Sequence, residues 1–390
     1  MARRRIGMGL VGAGFVGPQH VDAVRRLGFV DVVAVAGNSQ ASAAAKAEHL
    51  GIPRAYGNYE ALMDDPDVTV VHNATPNYLH AAVCEAAIAR SKAIVSDKPL
   101  AMTSAESKRL LDRANAAGVV HAVTFNYRGN PLVQQARVMV ERGTIGAPHF
   151  VHGHYLQDWL FKETDFSWRL EPDKGGASSA MGDIGSHWCD LVQHVTGLRI
   201  TSVLADLTTV VKSRRKPSGS REAFAAGSDA DQSEPFRVTV EDLGSVLLRF
   251  EASCKGVFSV GQVCAGHKND LVFEVNGSRG SLAWRQERQN ELWIGRRDDG
   301  NMTMMKDPAL VDESVRHYAR LPPGHQEGWA DAFRNVMADI YGFIADGRGP
   351  NDPHPPAFAT FEDGYRSNCA VEAILKSAAA GGAWTEVANA

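Results

Sequence analysis

The sequence predicts an α/β protein in two parts: a doubly wound parallel sheet in residues 1–125, then residues 126–390 built on an open, mainly antiparallel sheet. Three observations carry this expectation. Up to about residue 125, short apolar runs alternate with helical patterns, which implies a parallel sheet with helices on both faces. After Asn126 the rhythm changes to consecutive strand-like runs with few helices, the mark of an antiparallel sheet with one face covered. The chain has 390 residues, 44 % of them hydrophobic, enough for two cores.

In the first part, residues 6–11, 30–36, 68–73, 93–96 and 119–125 read as buried strands. Residues 18–27, 42–50, 77–89 and 104–116 read as helices. The last opens on Thr103-Ser104-Ala105-Glu106, a capping box in which the Thr hydroxyl and the Glu carboxylate each take an end N–H. In the second part, 131–142 and 182–195 read as helices. Strands are expected at 149–157, 202–211, 245–250, 256–263, 271–275 and 292–294, with two closing helices at 327–345 and 361–379. Residues 212–235, rich in Ser, Gly, Ala and charge, read as a long solvated insertion, with a lid or subunit contact as the alternative.

Lys and Arg number 41 against 45 Asp and Glu, a net charge of -4, which points to neither a nucleic-acid nor a membrane partner. The five cysteines, Cys84, Cys189, Cys254, Cys264 and Cys369, are scattered and form no Cys-x-x-Cys, so neither a zinc site nor a dithiol is expected. A reduced, cytoplasmic setting fits them. Arg3-Arg4-Arg5 precedes a short apolar stretch, but residues 6–11 run directly into Gly12-Ala13-Gly14, which suits a buried strand rather than a signal peptide. No stretch approaches the ~20 apolar residues of a membrane span.

Gly12-Ala13-Gly14-Phe15-Val16-Gly17 follows the first strand and opens a helix. Gly12 permits a tight turn, Gly14 lets backbone approach a pyrophosphate, and Gly17 lets helix and strand pack closely. The helix start then offers N–H groups to phosphates. This context predicts a dinucleotide-binding Rossmann domain. A carboxylate at the end of the second strand would grip a ribose 2′-hydroxyl. Here that stretch reads Val35-Ala36-Gly37-Asn38-Ser39, with no carboxylate, and Lys46 is the nearest cation. Asn38 and Ser39 can hydrogen-bond either NAD or NADP, and the missing local cation favours NAD.

Asp97-Lys98-Pro99 follows the strand at 93–96, at the end of the sheet where such folds bind ligands. A lysine beside a cationic nicotinamide loses its proton more readily, so Lys98 can orient a substrate hydroxyl or exchange its proton. An ordinary surface lysine is the alternative. Gly175-Gly176-Ala177 is followed by Gly182-Asp183-Ile184-Gly185-Ser186-His187, which places Asp183 and His187 on one helix face. Asp190 and His194 continue that polar stripe beside the apolar Ile184, Trp188, Leu191 and Val195, a pattern suited to the wall of a cleft. A histidine titrates near neutrality, so His187 can take a proton as an alcohol loses hydride, while Asp183 bonds a substrate hydroxyl. A core or surface histidine is the alternative, and a metal reading lacks a distinctive third ligand.

With these motifs the chain resembles the glucose–fructose oxidoreductase, inositol dehydrogenase and rhizopine-catabolism family, Gfo/Idh/MocA. The matching residues are Gly12–Gly17, Ala74-Thr75-Pro76-Asn77 with His80, Lys98-Pro99, Asn126-Tyr127-Arg128, and Gly182 to His187. The resemblance implies a Rossmann domain followed by a sheet-based α/β domain, and dimers or tetramers formed through that sheet. It implies that Lys98, Asp183 and His187 meet at the substrate, with His187 or Lys98 handling the proton. Thr75, Pro76, Asn77 and His80 would line the nicotinamide side, and Phe15, Val16, Asp97 and Asn126 would join the cofactor contacts. One departure stands out. The family usually has Glu-Lys-Pro, and Asp97 is one methylene shorter, which alters a contact to the cofactor ribose or amide.

Tyr155-Leu156-Gln157-Asp158-Trp159, Ser167-Trp168-Arg169 and Phe125-Asn126-Tyr127-Arg128 are similar to the levoglucosan dehydrogenase and sugar 3-dehydrogenase branch. Trp159 offers an aromatic face to ring C–H groups, with core packing as the alternative. Tyr155, Gln157, Asp158, Arg128 and Arg169 supply donors and acceptors for hydroxyls. The implied reaction is NAD- or NADP-dependent oxidation of a secondary hydroxyl on a sugar or related cyclic polyol, at C3 of a pyranose. His325 reads as part of a helix-start loop, with reach into the site as the alternative. The rivals are a glycosidase using transient redox on tightly held NAD, a non-catalytic nucleotide-binding regulator, and reduction of a non-sugar. Lys98, Asp183 and His187 argue against the regulator, and the polar Gln157, Asp158 and Arg169 against an apolar substrate.

Overall fold

In the computed structural model, which describes residues 5–218 and 233–388, the alternating N-terminal pattern forms a six-stranded sheet. Its elements run β1 (Ile6–Val11), α1 (Gly17–Arg25), β2 (Val30–Ala36), α2 (Gln40–Leu50), β3 (Arg54–Tyr56), α3 (Tyr59–Met63), β4 (Val70–Asn73), α4 (Asn77–Ala89), β5 (Ala93–Ser96), α5 (Ser104–Ala116) and β6 (His121–Val123). The strand order is β3-β2-β1-β4-β5-β6 and every pair is parallel. The order reverses between β1 and β4, and a sheet of this kind binds its ligand outside the strand ends at that point. β4 is buried along its length, as expected of a strand covered on both faces, and it carries His72 and Asn73 as well as Val70 and Val71 into the interior. The capping box forms as expected: Thr103 Oγ1 accepts the Glu106 N–H and the Glu106 carboxylate accepts the Thr103 N–H. β3 and α3, three and five residues long, were not expected, since neither is long enough to show a period.

The chain divides into one unit of Met1–Asn126 with Phe333–Asn368, and a second of Tyr127–Ala332 with Cys369–Ala390. This differs from a single cut at residue 126. Residues 333–368 join the parallel sheet through specific bonds: the Val123 N–H donates to Ala359 O at 2.8 Å and Asn368 Nδ2 to Ala101 O at 2.8 Å. Phe361 enters the same core as Leu100, Val123 and Phe125. Periodicity marks a helix but not which of two sheets it covers.

The second unit contains α6 (Pro131–Glu141), β7 (Pro148–Leu156), α7 (Pro172–Gly175), α8 (Ser186–Thr196), β8 (Ile200–Thr208), β9 (Ser213–Pro217), β10 (Ser233–Arg237), β11 (Leu243–Phe250), β12 (Lys255–Gly261), β13 (Asp270–Gly277), β14 (Ser281–Arg285), β15 (Glu291–Gly295) and β16 (Met302–Met305). The chain closes with α9 (Trp329–Ala345), α10 (Phe361–Ala379) and β17 (Thr385–Glu386). Nine strands form one sheet in the order β16-β15-β14-β13-β7-β12-β11-β8-β17, antiparallel except for the β7–β12 pair. Alternation along β11 shows why one face is covered: Val246, Leu248 and Phe250 are buried while Ser245, Leu247 and Arg249 are exposed. On the covered face Trp188 of α8 stacks on Phe258 at 4.3 Å and donates Nε1–H to Val272 O at 2.8 Å. The opposite face shows Phe150 and Leu247, 37 % and 45 % exposed. β16 lies at the sheet edge, with Met302 and Met305 facing out.

The expected insertion at 212–235 is corrected at its ends. β9 and β10 pair as an antiparallel hairpin, while residues 219–232 lie outside the described residues. β9 reads Ser-Arg-Arg-Lys-Pro and carries no apolar alternation, so its signal is that of a loop. Specific anchors hold it instead. The buried Arg214 donates NH1 to Lys162 O at 2.8 Å and Asp165 O at 3.1 Å, and Phe236 packs edge-on against Phe166.

Candidate active site

The first unit builds its candidate site from main chain. Gly12 has φ +85°, and a Cβ there would lie 2.6 Å from Ala74 O. A Cβ on Gly17 would lie 2.7 Å from Gly12 O, whereas one on Gly14 would meet nothing within 4 Å. The turn is thus closed at its ends and open at its middle. α1 starts without a side-chain cap and with Pro18 in its first turn, so the helix end is left for a ligand. Asn126 adds a buried donor, since its Nδ2 has no hydrogen-bond partner among the described residues. Open backbone at Gly14 and an orphaned amide at Asn126 fit a nicotinamide dinucleotide.

Other expected cofactor residues are engaged within the unit. Ser39 Oγ caps α2 by accepting the Ser42 N–H at 3.2 Å, and Asn38 beside it is exposed. Thr75 Oγ1 donates to Asn73 Oδ1 at 2.7 Å, and Asn73 Nδ2 donates to His80 O at 3.1 Å, which fastens the turn of Thr75, Pro76 and Asn77. His80 was expected to line the nicotinamide. It is instead buried, with Nδ1 2.6 Å from Pro99 O and Nε2 2.8 Å from Thr75 O, so it ties two turns together. Burial lowers its pKa against the opposing pull of Asp97. Asp97 accepts the Lys98 N–H at 2.9 Å and the Thr124 hydroxyl at 2.6 Å. Burial would raise its pKa, but Lys98, His20 and Thr124 outweigh that and hold the carboxyl below its ordinary value. The shorter acid is therefore an ionised brace for the lysine-bearing turn.

The second unit builds its site from side chains. Met181–Gly185 forms a single π-turn that runs into α8, a distortion common at functional sites. Glu241 fixes its start, where one carboxylate oxygen accepts the Ser178 hydroxyl at 2.6 Å, the Ser179 N–H at 3.0 Å and the Met181 N–H at 2.8 Å. Burial raises the pKa of this carboxyl, opposed by those bonds. Asp183 accepts Arg169 Nε at 3.1 Å on one oxygen and Gln262 Nε2 at 2.9 Å on the other. Arg169 also lies over the Trp168 ring, 4.5 Å from its centroid. His187 packs against Tyr127 and Tyr155, with ring centroids 5.1 and 6.3 Å away. Around those phenols run Trp159 Nε1 to Gln157 Oε1 at 2.9 Å, Gln157 Nε2 to Asn269 Oδ1 at 2.9 Å and Asn269 Nδ2 to Tyr127 OH at 3.0 Å.

Asp183, His187, Tyr155, Gln157, Trp159 and Arg169 thus share one neighbourhood, while other expected residues are engaged with partners of their own. Arg128 is buried and forms a two-bond ion pair with Asp190, with Nε 2.9 Å from the carboxylate, which secures α8. Asp190 is taken up by that pair, and His194 Nε2 lies 3.2 Å from the buried Gln134. Asp158 braces its own loop, accepting Lys268 Nζ at 2.6 Å and the Gly266 N–H at 3.1 Å. His325 stays in an exposed loop, its Nδ1 3.3 Å from Pro323 O. Gln262, Asn269 and Glu241 were missed, for each lies in or beside a loop with no motif around it. Among the described residues no group of three or more His, Cys, Asp or Glu could hold a metal, and no helix is long and apolar enough to cross a membrane.

A glycine-turn parallel-sheet unit joined to a sheet-based unit that gathers a histidine, a carboxylate and several polar side chains defines a nicotinamide-dependent oxidoreductase. Residues 6–125 match the family model described as an oxidoreductase family NAD-binding Rossmann fold, and residues 133–283 match the GFO/IDH/MocA C-terminal domain. The chain belongs to the Gfo/Idh/MocA family of oxidoreductases, as its motifs indicated. It is 31 % identical to levoglucosan dehydrogenase of Pseudarthrobacter phenanthrenivorans over 96 % of this chain and 97 % of that one. It is 23 % identical to glucose-6-phosphate 3-dehydrogenase of Bacillus subtilis over 95 % of each chain. Among solved structures, a levoglucosan dehydrogenase complex with NADH and levoglucosan superposes with a TM-score of 0.87 at 29 % identity, covering 99 % of this chain and 100 % of that one. An inositol dehydrogenase homologue from Azotobacter vinelandii, complexed with NAD+, gives 0.85 at 26 % identity over 98 % and 97 %.

Proposed function

We propose that the protein is an NAD-dependent dehydrogenase that oxidises a secondary hydroxyl of a sugar or related cyclic polyol, at C3 of a pyranose, to a ketone. The observation that carries this reading is the setting of His187: a buried imidazole beside two phenols, on the same helical segment as an Asp183 carboxylate held by Arg169 and Gln262. Such a density of directed polar groups suits a polyhydroxylated ring. The names of the relatives above, levoglucosan dehydrogenase and glucose-6-phosphate 3-dehydrogenase, agree with it.

A nicotinamide dinucleotide, when bound, supplies the hydride acceptor. Gly12, Gly14, Phe15, Val16 and Gly17 hold its pyrophosphate, Asn38 and Ser39 its ribose, and Asn126 with the turn of Thr75, Pro76 and Asn77 its nicotinamide side. The absence of a cation at Asn38 and Ser39 favours NAD over NADP. His187 or Lys98 takes the hydroxyl proton. Asp183 and Arg169 orient neighbouring hydroxyls, and Trp159 covers an apolar face of the ring. The exposed Phe150 and Leu247 on the open sheet face support a homodimer or homotetramer built there. The five free cysteines suit a cytoplasmic protein.

The test is purified protein with NAD or NADP against sugars, anhydrosugars, inositols and glycosides, following reduced nicotinamide in the near ultraviolet and the product by NMR. Reduction with one class, and a C3 ketone, supports the proposal. Hydrolysis without net reduction would install the transient-redox glycosidase in its place. Nucleotide binding with no turnover of any kind would install the regulator.

A further inference from the structure

The hydrogen bonds around Tyr127 and Tyr155 admit one arrangement of protons. An indole N–H can only donate, so the Gln157 atom 2.9 Å from Trp159 Nε1 is its carbonyl oxygen. The Gln157 amide nitrogen then faces Asn269 at 2.9 Å, which makes that Asn269 atom the acceptor Oδ1. Asn269 Nδ2 is left to donate to the Tyr127 oxygen at 3.0 Å. Tyr155 lies 2.6 Å from Asn269 Oδ1 and 2.6 Å from the Tyr127 oxygen. An acceptor at Oδ1 requires the Tyr155 proton. Tyr127 therefore sends its own proton to Tyr155, and the ring of three side chains closes in one direction. Burial raises the pKa of both phenols, so both protons stay in place near neutrality.

We propose that Asn269 is a positioning residue of the oxidation: it closes this one-way ring of hydrogen bonds and so holds the Tyr127 and Tyr155 side chains as the wall against which His187 is oriented. Both phenolic protons are committed within the ring, so neither tyrosine donates to a substrate. This assigns Tyr155 to the support of His187 rather than to the sugar, and it rests on the proposed role of His187. The amide is required for its chemistry and not only its size, because Asn269 must donate from one end while accepting two bonds at the other.

Asn269→Asp tests this directly. A carboxylate cannot donate, so each phenol would turn its proton to the acid and the bond between the two phenols would be lost. A protonated carboxyl regains one donor and one acceptor in the shape of the amide. The ratio of variant to wild-type kcat is measured across pH, which cancels titrations common to both proteins. We expect that ratio to be down about 100-fold at high pH, the scale of a slight misplacement of a reacting group. It should climb at least ~10-fold as the pH falls and the new carboxyl takes its proton, while KM and nucleotide affinity stay close to wild type. Asn269→Ala should be low at every pH. A ratio near one at high pH, or a depressed ratio that does not recover, would overturn the proposal.

Two further measurements hold if that variant folds poorly or if no sugar is turned over. Tyr127→Phe and Asn269→Ala act on the same ring, so their effects on kcat should fall well short of additive. Additive losses contradict the ring. A wild-type protein without sugar turnover would defeat the proposed reaction, and the ring would then be judged from crystals of Asn269→Asp at high pH. A retained phenol–phenol hydrogen bond there would refute it.

Discussion

In the first unit, the groups offered to a ligand are chiefly main-chain atoms around Gly12 and Gly14, set by one turn and the helix that follows it, with the Asn126 amide as a side-chain addition. In the second, the groups around His187 are side chains, and their partners come from far along the chain: Asn269 and Tyr127 are separated by 142 residues. A backbone cradle depends on local conformation and tolerates most changes of side chain. A side-chain network depends on every member, because a single lost donor leaves a buried acceptor unsatisfied. The first is robust and general, which suits a cofactor shared by many enzymes. The second is exacting, which suits discrimination among hydroxylated rings.

The comparison is sharpest at His187. His187→Asn should lower kcat by about 10²–10⁴, the range for losing a general base, while nucleotide affinity is unchanged in calorimetric titration. Full turnover in that variant would transfer the proton role to Lys98, and Lys98→Ala would then have to lose it. Next comes the buried pair of Arg128 and Asp190. Removing one partner strands a charge, so Arg128→Ala should cost about 3–5 kcal/mol in urea unfolding. Wild-type stability with a raised KM would instead return Arg128 to the substrate. Gly12→Ala acts on the other side of the comparison. A residue with a Cβ at φ +85° is strained by roughly 1–2 kcal/mol, before its approach to Ala74 O is counted. Nucleotide affinity should fall by about tenfold or more with the second unit's near-ultraviolet circular dichroism intact.

The smallest effect concerns acid stability. Burial works to raise the Asp270 pKa, but Arg285, His267 and His154 outweigh it and bring the carboxyl down to about 2. Its contribution is therefore present above the unfolded value of about 3.9 and is lost as pH falls towards 2. Melting temperature plotted against pH should drop through that window in the wild type and more gently in Asp270→Asn. Parallel curves would mean that the cluster contributes nothing at low pH.

The same contrast explains what was legible beforehand. The glycine turn, the capping box and the Asp183–His187 segment depend on residues within about one helical turn of each other, and a local pattern survives in a sequence. The two-bond pairing of Arg128 with Asp190 spans 62 residues, and a guanidinium that binds a carboxylate within the protein looks no different in sequence from one that binds a sugar. Asn269 follows Lys268 and precedes Asp270, a polar triplet typical of a turn, and its amide matters only because Tyr127, Tyr155 and Gln157 converge on it. β9 is held by carbonyl oxygens that accept from Arg214, a partner type invisible to any count of apolar residues.

The outer edge of the nine-stranded sheet has a consequence for the protein's chemical ageing. Met302 and Met305 on β16 are 41 % and 51 % exposed, whereas Met8, Met63, Met181 and Met337 are at most 1 % exposed. Peroxide converts accessible thioethers to sulfoxides first. Peptide mapping of a stored sample should find the modification at the β16 pair while the four enclosed methionines remain intact, so that this strand keeps a dated record of oxidant exposure long before any loss of fold.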